Sequence, residues 1–114
     1  MNFTEEQVKK VMGTIMTPNT AINCRTREEA ILLLSILSRE MYWYSGDTLD
    51  ERHLNWEDYE ENTVYHVERI SGVSKEVGLL YGHRANSLKR GRKVIWLEDI
   101  IHLPHVSLLD ILSA

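Results

Sequence analysis

The sequence contains a single cysteine, Cys24, and no long hydrophobic run. One cysteine excludes an intramolecular disulfide and gives no sign of an oxidising compartment. The longest apolar stretch, residues 30–34, is far shorter than the roughly 20 residues that a membrane-spanning helix requires. The first residues, MNFTEEQVKKVMG, carry acids and lysines where a secretory signal has an apolar core. We therefore expect a cytosolic protein with no membrane partner.

Basic residues are in the minority. The 114 residues include 13 Lys and Arg against 17 Asp and Glu, which gives a formal charge of −4 and a pI of about 5.7. General nucleic-acid binders usually carry a net basic field over the phosphate backbone, so this balance argues against that class. The composition is 43% hydrophobic and 26% charged, as in ordinary globular proteins. The length predicts one domain, residues 1–114.

Two arrangements that support enzymatic chemistry are missing. Neither Gly82 nor Gly91 is followed by the Gly-Lys-Ser/Thr ending of a phosphate-binding loop. No nucleophile-elbow pattern occurs, and Cys24 lies in a predicted strand, where a buried thiol acting as a small hydrophobe is the simpler interpretation. We predict no catalytic residue and no enzymatic activity.

Histidines are present, but their spacing does not indicate a metal site. His102 and His105 are close in sequence, yet Pro104 between them disfavours a shared helix face. The other histidines give no Cys/His pairing of the kind that closes a zinc site; they are His53, His66 and His83. We predict no metal and no cofactor.

Helix signals are clear in the first third of the chain. Capping-box patterns precede apolar residues at helical spacing at two places. The boxes are Thr4 with Gln7 and Thr26 with Glu29, and the helices that they predict cover residues 5–12 and 27–39. A short apolar helix is also predicted from Ser107.

Strand signals follow the main helix. Alternation and aromatic or β-branched content predict strands at 20–24, 41–45, 63–70 and 93–97. Residues 75–90 are ambiguous, since Gly78 and Gly82 each weaken a helix by about 1 kcal/mol. The order predicts an α+β fold: a small mixed, mainly antiparallel sheet of about four strands packed on one main helix, with a short N-terminal helix. If 20–24 and 41–45 are neighbours, their helical crossover makes them parallel.

The segment MYWYSGDTLDERHLNWEDYEE, residues 41–61, combines large rings with many acids. Tyrosine and tryptophan bury large areas at little entropic cost, and carboxylates around them suit a basic groove on another protein. The alternative is a solvated loop with Trp56 folded back as a plug. The candidate partner-binding residues are Tyr42, Tyr44, Asp50, Glu51, Trp56, Glu57, Asp58 and Tyr59.

The stretch HRANSLKRGRK, residues 83–93, is basic and contains no acid. Guanidinium groups bind phosphate bidentately, and a ring such as Tyr42, Tyr44 or Trp56 could stack on a base. The alternative is a solvated loop before an edge strand, where basic residues oppose aggregation. The candidate nucleotide-binding residues are Arg84, Lys89, Arg90 and Arg92.

The segment NTAINCRTREEAILLLSILSREMYWYSGD, residues 19–47, resembles the opening of small, mostly uncharacterised bacteriophage proteins. The shared pattern is an AIxCxTxEEA helix entry and a WxSGD strand end; Trp56 with Tyr59, TVYHV and KVIWLEDI extend it over most of 19–100. The resemblance implies a phage protein in the host bacterial cytosol. Its implied role is inhibition of antiviral defence, either anti-CRISPR-like or as a nucleotide sponge, by stoichiometric binding to a host defence protein or a signalling nucleotide.

Two other classes stay open. A small nucleotide hydrolase would use adjacent carboxylates as acid and base, either Asp50 with Glu51 or Glu57 with Asp58. A structural or oligomeric phage accessory protein would need no separate ligand. Exposed edge strands and the apolar tail are compatible with a homodimer.

Overall fold

The computed structural model describes residues 4–50, 54–70 and 76–101. The helices are α1 (Glu5–Ile15), α2 (Arg27–Leu37), α3 (Arg84–Lys89) and α4 (Leu97–Ile100), and the strands are β1 (Thr20–Asn23), β2 (Thr63–Arg69), β3 (Val77–His83) and β4 (Lys93–Trp96). Two 3-10 turns, Trp56–Asp58 and Glu60–Asn62, precede β2. Several predictions fall outside the described residues: those on Glu51, His53, His102 and His105, and the helix from Ser107.

Both predicted helix starts are confirmed, but only one carries a complete capping box. Thr4 Oγ1 accepts a hydrogen bond from Gln7 N, and Thr4 N donates to Gln7 Oε1, both at 3.1 Å. At α2, Thr26 Oγ1 accepts from Glu29 N at 3.2 Å. The Glu29 carboxylate accepts from Arg25 N at 3.3 Å instead of from the cap residue.

Helix ends are less well predicted than helix starts. α1 continues past Gly13 to Ile15, three residues beyond the predicted end, because Val11 and Ile15 are both fully buried in the core. The burial of Ile15 outweighs the low helix propensity of one glycine. α2 ends at Leu37, two residues earlier than predicted. No helix in residues 4–50, 54–70 or 76–101 has the length and apolar character to cross a membrane.

The sheet has four strands in the order β3-β2-β1-β4. β2 pairs antiparallel with β1 and with β3, the latter over a seven-residue register from Thr63 opposite His83 to Arg69 opposite Val77. β4 pairs in parallel with β1, with Ile22 opposite Ile95. The predicted α+β fold is therefore confirmed: the sheet is mixed and mainly antiparallel, and a short helix precedes it.

The predicted strand at 41–45 is wrong, and so is the parallel pairing proposed for it. Only Trp43 forms a bridge, parallel to Leu79 on the edge of β3, and the parallel neighbour of β1 is β4. Tyr44 N donates to Leu79 O at 2.9 Å, and the chain then turns back on itself, as Gly46 N donates to Trp43 O. Gly46 has a φ of 97°, which suits glycine and ends the extended run.

Strand β3 occupies part of the ambiguous stretch 75–90. Gly78 and Gly82 both lie in this strand. At Gly78 the absence of a side chain allows the segment of Tyr44 to approach the strand closely. A Cβ at Gly78 would lie 2.5 Å from Tyr44 Cα, so a side chain there would push the segment of Tyr44 off the sheet edge.

Different helices pack against the two faces of the sheet. Ile22, Tyr65 and Leu79 point to the face packed by α1 and α2 and belong to the main apolar cluster. Strand alternation places Val64 and Trp96 on the opposite face, which α3 contacts. Because β1, β3 and β4 are mutually parallel, their carboxyl ends lie at one end of the sheet.

Candidate functional site

The candidate surface is residues 54–62, which we call the acidic turn. Hydrogen bonds hold it against β1, Cys24 and β2; in one of them Asn23 Nδ2 donates to the Glu61 carbonyl oxygen at 2.9 Å. Trp56 Nε1 donates to Cys24 O at 3.1 Å, Thr63 Oγ1 donates to Trp56 O at 2.9 Å, and Tyr65 OH donates to Leu54 O at 2.8 Å. The Trp56 indole is therefore folded inward as an anchor, half-buried against the core.

Two carboxylates of the acidic turn have partners in their own chain. Glu57 Oε1 accepts from Arg27 Nε at 2.8 Å, and both side chains stay largely exposed. This hydrogen bond lowers the pKa of Glu57. Asp58 Oδ2 accepts from Tyr81 OH at 2.6 Å, which raises the pKa of Tyr81 to about 12, because the hydrogen bond and the charge of Asp58 favour the neutral phenol.

The outer side of the acidic turn is formed by Tyr59, Glu60 and Glu61, all exposed. The Tyr59 ring is supported from beneath: its centroid lies 5.2 Å from that of His83 and 6.1 Å from that of Tyr81. Glu60 has a φ of 49°, a left-handed conformation that costs a non-glycine residue of the order of 1 kcal/mol.

Beside the acidic turn lies a cleft of about 590 Å³, which we call the aromatic cleft. Trp43, Tyr44 and Tyr81 line it together with Asp47 and Asp50, two of the acids of the 41–61 segment. The structure thus brings Tyr44 and Asp50 together with the acidic turn through Tyr81. Tyr42 is 58% exposed and lines a different cleft.

The four basic candidates do not share one set of contacts. The Arg84 guanidinium carbon lies 5.2 Å from the centroid of the Trp96 ring. Arg92 Nη2 lies 3.0 Å from Glu68 Oε1 in an ion pair. Lys89 and Arg90 are exposed at the end of α3. The Arg84 guanidinium thus contacts the Trp96 ring, whereas the sequence pattern pointed to Tyr42, Tyr44 or Trp56.

Sequence reasoning missed one charged cluster at the carboxyl end of the sheet. The Arg25 guanidinium carbon lies 3.9 Å from the Trp96 ring centroid, and its Nε and Nη2 donate to Glu98 Oε1 at 2.8 and 2.6 Å. Arg25 and Glu98 are 73 positions apart, so no local sequence pattern predicts their contact. The parallel pairing of β1 with β4 brings them together by placing Asn23 opposite Trp96, and the sequence did not predict that pairing.

Cys24 and His66 are buried side chains whose pKa values are shifted. Burial and the nearby Glu29 charge raise the pKa of the Cys24 thiol well above its usual value, which keeps it protonated. Burial and the charge of Arg92 lower the pKa of His66, whose Nε2 lies 3.4 Å from Glu68 Oε1. In the described part of the chain, no three His, Cys, Asp or Glu side chains are grouped so that they could hold a metal ion.

Comparison of the chain with family models, with curated proteins and with solved structures gave no match.

Proposed function

We propose that the protein is a phage-encoded inhibitor of host antiviral defence that acts by stoichiometric binding, without turnover. In this proposal the acidic turn binds a basic, nucleic-acid-handling surface of a host defence protein. The phage origin comes from the sequence resemblance described above. The choice of the acidic turn comes from its geometry.

The observation that carries the proposal is the anchoring of the acidic turn. Hydrogen bonds donated by the side chains of Trp56, Thr63 and Tyr65 hold the turn in place, while its four carboxylates stay exposed; they are Glu57, Asp58, Glu60 and Glu61. A surface that is already ordered loses less conformational entropy when it binds. An ordered array of carboxylates can therefore occupy a groove that evolved for phosphates.

Electrostatics supports the same partner. Clustered acids attract a basic surface before contact, and the attraction weakens as salt shortens the Debye length to about 8 Å at physiological ionic strength. Tyr59 adds an exposed ring in the centre of the array, and its support by His83 and Tyr81 limits its rotamers. Supported tyrosines are frequent anchors in protein interfaces.

The sharpest test changes acids whose side chains make no hydrogen bond within residues 4–50, 54–70 and 76–101. Glu57 and Asp58 are bonded to Arg27 and Tyr81, so replacing them would also remove a contact within the chain. Glu60→Lys with Glu61→Lys reverses the charge of the outer side. The matched control is Glu40→Lys with Glu76→Lys, which makes the same charge change at two exposed positions. Glu76 lies just before Val77, so the length of β3, roughly 20 Å, separates it from His83 beside the acidic turn.

The experiment is phage plating on bacterial strains that each carry one defence system. Expression of the natural protein and of the control variant is expected to restore plaques on at least one strain, whereas the Glu60/Glu61 variant is not. Restoration by all three proteins would contradict the role of the acidic turn. Restoration by none on any strain would contradict inhibition of defence and would favour a structural role.

A signalling nucleotide is the second candidate ligand, and the Arg84–Trp96 contact is the observation that favours it. A base can stack on an aromatic ring while a guanidinium beside that ring binds the phosphate of the same nucleotide. Extraction of the purified protein after denaturation would release an intact nucleotide in this case, and Arg84→Glu would abolish the yield. A nucleotide hydrolase would instead convert an added nucleotide, with no intact ligand recovered.

A further inference from the structure

The aromatic cleft differs from the acidic turn because it is concave and partly apolar. The Trp43 and Tyr81 rings meet at 76° with centroids 6.3 Å apart, and they form a corner in the cleft. Its volume of about 590 Å³ lies within the range of roughly 300–1,000 Å³ that is usual for small-ligand pockets. A side chain or a small molecule can enter such a space.

The charge of the cleft selects the ligand. Asp47 and Asp50 are the charged side chains among the described residues that line it, and no described lysine, arginine or histidine joins them. Aromatic faces also carry negative potential, so rings and carboxylates together favour a cation. The same arrangement repels phosphates, nucleotides and acidic peptides.

The Asp47 carboxylate is positioned by its own turn. Trp43 N donates to Asp47 O at 2.9 Å, and Ser45 Oγ donates to Asp47 Oδ2 at 3.1 Å. These bonds fix the carboxylate relative to the Trp43 ring. One hydrogen bond leaves most of the acceptor capacity of a carboxylate available for a ligand.

We propose that the aromatic cleft binds an arginine side chain of the partner protein. A guanidinium is planar, stacks on aromatic faces and donates two parallel hydrogen bonds to one carboxylate, so it matches rings and acids together better than the compact ammonium of lysine does. The assignment of this arginine to a protein, and not to a small molecule, rests on the proposed function. Tyr81 lines the cleft and donates to Asp58 of the acidic turn, so one basic partner surface can contact both.

The test is a titration of the purified protein with N-acetyl-arginine amide, followed by proton–nitrogen NMR. The control ligand is the citrulline counterpart, which has nearly the same shape but no charge. Arginine is expected to shift the Trp43 indole and Asp47 amide signals with a Kd of about 1 mM, as suits so small a ligand. Citrulline is expected to bind at least about tenfold more weakly, which corresponds to the loss of an ion pair.

Two variants complete the test. Asp47→Asn keeps the shape of the side chain and is expected to weaken arginine binding about tenfold, the effect of removing the charge of one partner. Asp99→Asn makes the same charge change on α4, outside the residues that line the cleft, and is expected to leave the affinity unchanged. A third ligand, N-acetyl-lysine amide, is expected to bind more weakly than the arginine compound. Equal binding of arginine and citrulline, tighter binding of lysine than of arginine, or no effect of Asp47→Asn would overturn the proposal.

Failure of this proposal and failure of the proposed function are distinguishable. The titration uses one small ligand and no host protein, so arginine binding by the cleft would stand even if reversal of Glu60 and Glu61 left defence inhibition intact. Conversely, a cleft that does not bind arginine would leave the plating result for the acidic turn unchanged.

Discussion

The Tyr81 hydroxyl donates a 2.6 Å hydrogen bond to Asp58 Oδ2, and this contact joins strand β3 to the acidic turn. Tyr81 also supports the Tyr59 ring from one side and forms the corner of the aromatic cleft with Trp43 on the other. One edge-strand residue therefore links the two surfaces to which we assign partner binding.

Replacing Asp58 by Asn tests the linkage through the pKa of Tyr81. The natural protein holds this pKa at about 12, chiefly by the hydrogen bond to the Asp58 carboxylate. The bond contributes stability that is complete below the unfolded value of about 10 and is lost as the pH rises through the folded value. We expect Asp58→Asn to bring the pKa back towards 10. The titration of the Tyr81 ring carbon by NMR measures it, and an unchanged value would contradict the contact.

Gly78→Ala tests how residues 42–44 reach the sheet. The added Cβ would lie 2.5 Å from Tyr44 Cα, so the segment must move away and lose hydrogen bonds to Leu79. We expect a loss of about 1–3 kcal/mol in the free energy of unfolding, as in other overpacked sites. The control is Gly82→Ala in the same strand, where nothing lies within 4 Å of the added atom. Urea unfolding that gives equal losses for both variants would refute this packing.

Trp56→Phe tests the anchoring of the acidic turn. The substitution keeps a ring in place but removes the Nε1 hydrogen bond to Cys24 O, which is expected to cost about 1 kcal/mol. Hydrogen exchange is expected to accelerate at Tyr59 and Asn62, whose amides donate within the turn, and not at Val64 in β2. Uniform acceleration across the sheet would instead indicate global destabilisation.

His66 makes the folded state sensitive to mild acid. Burial and the Arg92 charge lower its pKa below the unfolded value of about 6.5, so the unfolded chain takes up a proton first as the pH falls. Its contribution to stability is therefore complete above about pH 6.5 and is lost on acidification through the folded pKa. We expect His66→Gln to lose less stability than the natural protein between about pH 7.5 and about 5.5 in urea unfolding. An equal loss in both proteins would show that His66 does not carry this dependence.

Local signals predicted the parts of the fold that depend on near neighbours. Thr4 and Thr26 mark helix starts because a cap acts within three residues. TVYHV predicts strand β2 through its β-branched and aromatic residues, although the structure buries both faces of its first four residues. The end of α1 at Ile15 could not be predicted, since it depends on contacts with the rest of the core.

Long-range packing explains the remaining errors. The aromatic segment around Trp43 looks like a strand, but its path depends on the absence of a side chain at Gly78, 35 positions later. The sequence pattern placed Trp56 among possible ligand-binding rings or as a plug, and only the bond to Cys24 O shows that its indole is anchored. The link between the acidic turn and the aromatic cleft was invisible because Tyr81 lies in a stretch whose structure was ambiguous.

The most direct test of the proposed function is calorimetric titration of the purified protein with a host defence protein taken from a strain on which it restores plaques. We expect one-to-one binding that weakens with salt, at least about tenfold weaker for Glu60→Lys with Glu61→Lys, and unchanged for Glu40→Lys with Glu76→Lys. Equal affinities for the two charge-reversed variants would contradict binding through the acidic turn.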